Sequence, residues 1–300
     1  MSVPCALLVP AYNEAASIRQ CLDALHSARL PAGLSWHHWL VVDDASDDDT
    51  PLVVKRWASE HPDTAIEIHS SPIRAGKANA LGVHHEAMLR SGPADILVIC
   101  CDADGQVEPG SLTALLRPFQ IDPRLAATWG FKLPRPYSVR QWASAFQLYA
   151  TWELARLLGE SAYRAESSLF AYRLDPFRDF RWAPGSAADD VQIADFALVH
   201  GLPVRSTWDA ITRVTPAGRF RDFYSQVTRP ERAAASTNAG SRAGNRSRLR
   251  LLAAWSVALN RPLEALAYFA ERLLVEIIRW YRPARFSDVW QVAASTKGEG

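Results

Sequence analysis

Ile96-Leu97-Val98-Ile99-Cys100-Cys101-Asp102-Ala103-Asp104-Gly105-Gln106 decides how the 300-residue chain is read. Six consecutive apolar residues mark a strand buried on both faces of a sheet. The run stops at two carboxylates one residue apart. In an open parallel sheet, ligands bind beyond the carboxyl ends of strands, which puts Asp102 and Asp104 at the mouth of such a site. Their carboxylates and the Gln106 amide oxygen are hard ligands suited to Mg2+ or Mn2+ shared with a substrate phosphate. On its own the segment fits a solvated turn equally well, because Asp and Gly are ordinary turn residues.

Outward from that run, strand-like and helix-like stretches alternate. Ala6-Leu7-Leu8-Val9 reads as a first buried strand, followed by Pro10-Ala11-Tyr12-Asn13-Glu14 and a helix with Ile18, Leu22 and Leu25 at helical spacing. Trp39-Leu40-Val41-Val42 is a second strand and runs into Asp43-Asp44-Ala45-Ser46, after which Pro51 opens a helix. Ile66-Glu67-Ile68 is a third, and Ser71-Pro72-Ile73-Arg74-Ala75-Gly76-Lys77-Ala78-Asn79-Ala80-Leu81 follows it as a loop leading into a helix. The run at 96–101 is the fourth, and a helix through Leu112, Leu115 and Leu116 follows it. This alternation predicts an α/β fold: a mostly parallel, Rossmann-like sheet with right-handed crossovers and helices on its faces. Four strand ends then share one edge, and their loops carry Tyr12 and Glu14, Asp43 and Asp44, Arg74 and Lys77, and Asp102 and Asp104. A nucleotide diphosphate and its metal need both kinds of charge.

The 33 basic and 32 acidic residues nearly cancel, which argues against a nucleic-acid partner. No early basic-then-apolar stretch ends in a small-residue cleavage site, so no secretory signal is expected. No uninterrupted apolar run is long enough to span a bilayer. Cys5, Cys21, Cys100 and Cys101 lack metal-ligand spacing and lie in apolar or helical runs. Buried reduced thiols of this kind suit the cytoplasm.

Beyond residue 126 the pattern is less regular. Residues 126–131 and 168–172 read as strands, 139–158 as a helix, and 184–190 as a loop into a helix over 191–200. Asp189 and Asp190 stand at the start of that helix, where carboxylates cap free N–H groups. From Arg229 to Arg250 the sequence is polar, small and basic and reads as a flexible loop. It is a linker, or a lid whose Arg242, Arg246 and Arg248 order over an anionic ligand. After it come a helix near 251–259 and another from Pro262, whose Leu263, Leu266, Phe269, Leu273, Ile277 and Tyr281 share a face. That stripe packs on the domain or, helped by Trp280, Arg282 and Arg285, lies on a membrane surface, at the inner face if the protein is cytoplasmic.

Four motifs in this order resemble the family 2 glycosyltransferases of the GT-A fold. They are Val9-Pro10-Ala11-Tyr12-Asn13-Glu14, Val41-Val42-Asp43-Asp44-Ala45-Ser46, Gly76-Lys77-Ala78-Asn79-Ala80-Leu81 and Asp102-Ala103-Asp104. The last is similar to that family's D-x-D metal motif. Asp189-Asp190 falls where the family has Glu-Asp, whose second acid is the catalytic base. The resemblance implies that Pro10, Tyr12 and Glu14 line the nucleobase and ribose pocket and that Asp43 or Asp44 accepts from the base. It implies further that Lys77 and Arg74 reach the base or diphosphate, that Asp102 lies near the ribose and metal, and that Asp104 holds the Mn2+ or Mg2+ directly. The same resemblance implies that Gln106 is a further metal ligand and Asp190 the base. Gln226-Val227-Thr228-Arg229-Pro230 only partly matches the Q-x-x-R-W motif of processive synthases, since Pro230 replaces the tryptophan. A single transfer follows, with Asp189, Gln226, Arg229 and Arg242 as acceptor or lid residues. The resemblance spans a catalytic domain 1–228 (nucleotide-sugar half 1–130, acceptor half 131–228), and composition and periodicity add a flexible basic loop 229–250 and C-terminal amphipathic helices 251–300.

The chemistry implied is an inverting transfer from a nucleotide-diphosphate sugar, a UDP-sugar, to an acceptor hydroxyl that is lipid-linked or soluble. A metal offsets charge on the departing diphosphate, and one base within hydrogen-bond reach activates the hydroxyl. Three alternatives stand beside it. A haloacid-dehalogenase-like phosphatase would share Asp102-Ala103-Asp104-Gly105 but has Thr where Gln106 stands. A nucleotidyltransferase would need a Gly-rich loop after the first strand. A non-catalytic nucleotide-sugar-binding protein would not need Asp190.

Overall fold

The computed structural model describes residues 2–93, 95–159, 168–183, 189–236 and 246–281. The first half runs β1 (Val3–Ala11), α1 (Ile18–Ser27), β2 (Leu34–Asp43), α2 (Thr50–Glu60), β3 (Ile66–Ser70), α3 (Lys77–Ser91) and β4 (Leu97–Cys101). The short β5 (Gln106–Val107), α4 (Ser111–Ile121), β6 (Ala127–Pro134), α5 (Trp142–Leu158) and β7 (Leu169–Arg173) follow. The chain then forms α6 (Asp189–Val199), β8 (Val204–Val214), α7 (Phe220–Ser236), α8 (Arg246–Asn260) and α9 (Pro262–Tyr281).

Among the described residues eight strands join one sheet in the order β3-β2-β1-β4-β7-β6-β8-β5. The first four are parallel, as the βα alternation requires. The second half, irregular in sequence, makes the sheet mixed: β7 runs antiparallel to β4 and to β6, while β6 and β8 are parallel. Two reversals return β6 to the direction of β4, so its carboxyl end comes back to the same rim.

Alternation of side chains divides the core. Cys5, Leu7 and Val9 with Leu97, Ile99 and Cys101 face α1, α2 and α4, where Leu22, Trp57 and Leu115 are fully buried. Ala6, Leu8, Val98 and Cys100 face the other way, toward Ala80 and Leu81 of α3 and Ile193 and Ala194 of α6. Each fully buried aliphatic side chain contributes about 1.5–3 kcal/mol, which is why a strand flanked by two helical layers is apolar throughout. Pro10 interrupts no ladder. The Ala11 carbonyl accepts the Asp44 N–H at 2.9 Å, so residue 11 faces β2 and Pro10 faces the opposite side, past Leu8↔Cys100, where pairing with β4 ends.

Two strands escape the sequence reading. β5 has two residues, and β8 mixes Arg205, Ser206, Thr207, Asp209, Thr212 and Arg213 into its length. β8 also bulges: its pairing with β6 jumps from Trp129↔Ser206 to Phe131↔Ile211. Gly130 makes the bulge possible, because a Cβ there would lie 2.4 Å from the Ala210 carbonyl oxygen. The loop expected over 229–250 is shorter than its composition suggests. Helix α7 continues to Ser236 and α8 starts at Arg246, since Glu231-Arg232-Ala233-Ala234-Ala235 are strong helix formers. Helices α8 and α9 both pack on α5, with Phe146 buried against Tyr268 at 5.0 Å between ring centroids. Among the described residues no helix is long and apolar enough to cross a membrane.

Candidate active site

The carboxyl ends of β1, β2 and β4 form a rim at the point where the chain leaves β1 in two directions, a crevice of the kind that takes ligands in open sheets. Backbone and side-chain hydrogen bonds stitch its loops together. Asn13 and Ala45 adopt left-handed backbone, with φ of 53° and 61°. Asn13 N–H donates to Ser46 Oγ at 2.9 Å, and Asp47 N–H donates to Asn13 Oδ1 at 3.0 Å. Glu14 is 7% exposed; its carbonyl accepts the Ser17 and Ile18 N–H groups at the start of α1, and its carboxylate accepts the Ser17 hydroxyl. Glu14 is thereby built into the opening of α1.

The two aspartates after β2 do different work. Asp43 Oδ1 accepts the Ser46 N–H at 3.1 Å. Asp44 accepts two amides, Ala75 N–H on Oδ1 and Gly76 N–H on Oδ2, both at 2.8 Å. Asp44 thus holds the loop that carries Arg74 and Lys77. Arg74 lays its guanidinium over the Tyr12 ring, 3.9 Å from the centroid, so these two candidates meet.

At the end of β4, Lys77 Nζ donates to Asp102 Oδ1 at 2.6 Å, and Lys132 Nζ stands 3.7 Å from Oδ2. The turn beyond is fixed from outside. Arg135 Nη2 donates to the Asp104 carbonyl at 2.8 Å and Nη1 to Gln20 Oε1 at 3.2 Å, while Gln106 Nε2 donates to the same Gln20 oxygen at 2.6 Å. Burial lowers the Arg135 guanidinium from its usual value, and the charge of Asp104 opposes that shift. Gly105 is required here: a Cβ would lie 2.5 Å from Cγ2 of the buried Thr212 and 3.2 Å from the Asp102 carbonyl oxygen. Beneath the turn, Cys21 and Cys101 place their sulfurs 4.0 Å apart, and all four cysteines are free and buried.

Lys132 and Arg135 were not among the sequence candidates. A lysine in the otherwise apolar Phe131-Lys132-Leu133-Pro134, and an arginine just after it, are the signal of a strand end that turns polar at the rim. What hid it is topology, because only the antiparallel β7 brings the end of β6 beside β4. Asp189 and Asp190 are the first residues of α6, and their side chains lie outside the described residues. Gln226 accepts from Ser144 Oγ at 3.3 Å and ties α7 to α5. Arg229 lies in α7 with its side chain outside the described residues, and Arg242 lies outside them altogether.

Among the described residues no three His, Cys, Asp or Glu side chains gather as a metal site. Two carboxylates at one turn nevertheless fit Mg2+ or Mn2+, hard cations that keep several positions for water and phosphate oxygens. The arrangement offers cations, oxygen ligands and a stacked aromatic on one rim, the requirements of a nucleotide diphosphate.

Known proteins match this architecture. In fold the chain is similar to the mannosyltransferase PcManGT from Pyrobaculum calidifontis, in complex with GDP-Man and Mn2+. The identity is 22% and the TM-score 0.61, over 94% of this chain and 82% of that one. It is similar also to glucosyl-3-phosphoglycerate synthase from Mycobacterium tuberculosis in complex with Mn2+, UDP and phosphoglyceric acid. There the identity is 20% and the TM-score 0.53, over 78% and 77% of the two chains. No curated protein sequence matches the chain. The family model for glycosyl transferase family 2 matches residues 6–180, more than half of the chain and all of the rim from β1 to β6, so the chain belongs to that family.

Proposed function

We propose that this glycosyltransferase moves a sugar from a UDP-sugar to an acceptor hydroxyl, with inversion and one sugar at a time. The observation that carries the reading is the meeting of Lys77, Lys132 and Asp102 beside the Arg135-pinned Asp104 turn. Asp102 and Asp104 would hold Mn2+ or Mg2+, with Gln106 adjacent, and an ion held there would supply positive charge to offset that of the departing diphosphate. The Mn2+ complexes of PcManGT and of glucosyl-3-phosphoglycerate synthase support that choice.

During transfer the bond from the anomeric carbon to the diphosphate oxygen breaks, and its electron pair leaves on the diphosphate. The acceptor oxygen bonds to the same carbon from the opposite face. Lys77 and Lys132 offer ammonium charge to the leaving group. Asp190, at the start of α6, takes the acceptor proton. Tyr12 and Arg74 pack on the base, Asp43 accepts its N–H, and Asp44 keeps the Arg74–Lys77 loop in place. Transfer of one sugar rests on Pro230 standing where processive synthases have tryptophan.

The test is a thermal-shift and turnover panel of UDP- and GDP-sugars with and without Mn2+. A donor at about 100 times its dissociation constant stabilises by about 2.7 kcal/mol. Asp190→Asn is expected to keep that shift and lose roughly 100-fold or more in turnover, whereas Asp104→Ala loses both the Mn2+ response and the activity. Undiminished turnover in chelator overturns the reading.

A further inference from the structure

Apolar surface is not spread evenly over this protein. Among the described residues, twenty large hydrophobic side chains are exposed, and twelve of them lie on α8 and α9. Scattered single hydrophobics are normal on any surface, but a contiguous set marks a docking site. Leu266, Leu273, Ile277 and Trp280 recur at three-, four- and seven-residue spacing along α9, and Trp255 and Leu259 extend the set onto α8. The opposite faces of the same helices are already used: Ala253, Ala265 and Val275 are buried, Val275 with Ala143, Phe223 and Val227.

We propose that this outer face of α8 and α9 docks on an anionic lipid bilayer. Charge selects that occupant. Residues 246–281 hold six arginines against three glutamates, a net charge of +3. Arg248 and Arg250 are exposed at the start of α8. Glu276, the exposed acid of the pair of helices, is engaged by Arg272 at 3.1 Å and Arg279 at 3.4 Å. A second copy would set two positive faces against each other, whereas anionic headgroups complement them. Trp255, Trp280 and Tyr281 are 67%, 80% and 72% exposed, and indole and phenol rings are the side chains that settle at headgroup depth.

Docking there also reaches the rim. Tyr137, two residues beyond Arg135, donates its hydroxyl to Glu264 at 3.0 Å and accepts from Arg261 at 2.6 Å, which fastens the start of α9 to the segment that pins the Asp104 turn.

The experiment is flotation of the full chain with vesicles of phosphatidylcholine alone and of phosphatidylcholine mixed with phosphatidylglycerol, with light scattering for mass. The protein is expected to float with the anionic vesicles and to be released by salt. Leu266→Glu/Leu273→Glu should cut the bound fraction by about tenfold or more while the thermal midpoint stays unchanged, because both positions are exposed. Arg248→Glu/Arg250→Glu should weaken binding to the anionic vesicles alone. Three results overturn the proposal: no flotation with either vesicle, flotation that the leucine variant leaves intact, or a dimer that the leucine variant dissociates. Flotation needs no donor, so its failure leaves the reading of glycosyl transfer standing, and loss of metal dependence leaves docking standing.

Discussion

At the scale of single residues, the site is held by groups whose partners are backbone atoms, and this fixes what substitutions should do. Asp44 is 5% exposed and accepts two amide protons, so Asp44→Ala strands two donors. The expected loss is about 3 kcal/mol in urea unfolding, with Asp44→Asn about half as costly because one carboxamide oxygen still accepts. Lys132 contrasts with it. Its side chain is 31% exposed and approaches Asp102 at 3.7 Å, a loose pair that adds little to stability. Lys132→Met keeps the aliphatic stem and removes the charge. Donor affinity measured by titration should fall about tenfold, with the unfolding midpoint within the scatter of the wild type. A matched loss of stability would assign Lys132 to the scaffold instead. The pair Asp44 and Lys132 also shows where sequence reading stops. Both aspartates after β2 are visible as rim candidates, but which of the two holds the neighbouring loop depends on hydrogen bonds from Ala75 and Gly76, residues whose identity carries no such signal.

Among the elements, α3 is the one whose seating ought to depend on pH. His84 on α3 and His38 on β2 lie with ring centroids 5.7 Å apart, and the Nε2 atom of each is buried without a hydrogen-bond partner among the described residues. Burial pushes the His84 imidazole down to about 4 and lowers His38 as well; the ordinary value is 6.5. Below 6.5 the unfolded chain therefore binds protons that the folded chain refuses. Stability from His84 is complete above that pH and is lost as the pH falls toward 4, by about 3 kcal/mol in all. His84→Leu removes that loss. Its urea midpoint should converge on or pass the wild-type value between pH 6.5 and 4, and parallel curves for the two proteins would refute the assignment. The same element scale explains what the sequence concealed. Strands β1, β2 and β4 are legible because helices cover both faces and demand unbroken apolar runs. β8 is not, because its bulge breaks the alternation between Ser206 and Ile211 and its buried Thr207 and Thr212 read as surface residues. Helix α7 was masked by Pro230 and by small residues that composition alone assigns to a loop.

For the whole molecule, the question is whether the C-terminal helices are an appendage or part of the domain. In sequence, residues 251–300 stand apart from the catalytic domain, since an amphipathic stripe does not say which of its faces is inward. The packing does: Phe146 of α5 is fully buried and meets Tyr268 and Phe269, while Phe223 of α7 meets Tyr268 edge-on at 6.1 Å. Removing α8 and α9 would uncover Phe146, Phe223 and Ala143, and each phenylalanine returned to water costs about 1.5–3 kcal/mol. That is a large share of the about 5–15 kcal/mol by which domains are stable. A chain ending at Ser236 should therefore unfold at much lower urea than the full chain, or fail to show a cooperative transition. An unchanged midpoint would make the helices an independent appendage. The comparison with Leu266→Glu/Leu273→Glu is the informative one: truncation destroys the inner face and the outer together, whereas the two glutamates alter only the outer. If the truncated chain is unstable while the substituted chain stays stable and no longer floats with anionic vesicles, the two helices serve as core on one side and as docking surface on the other, and membrane binding can be removed without disturbing the rim.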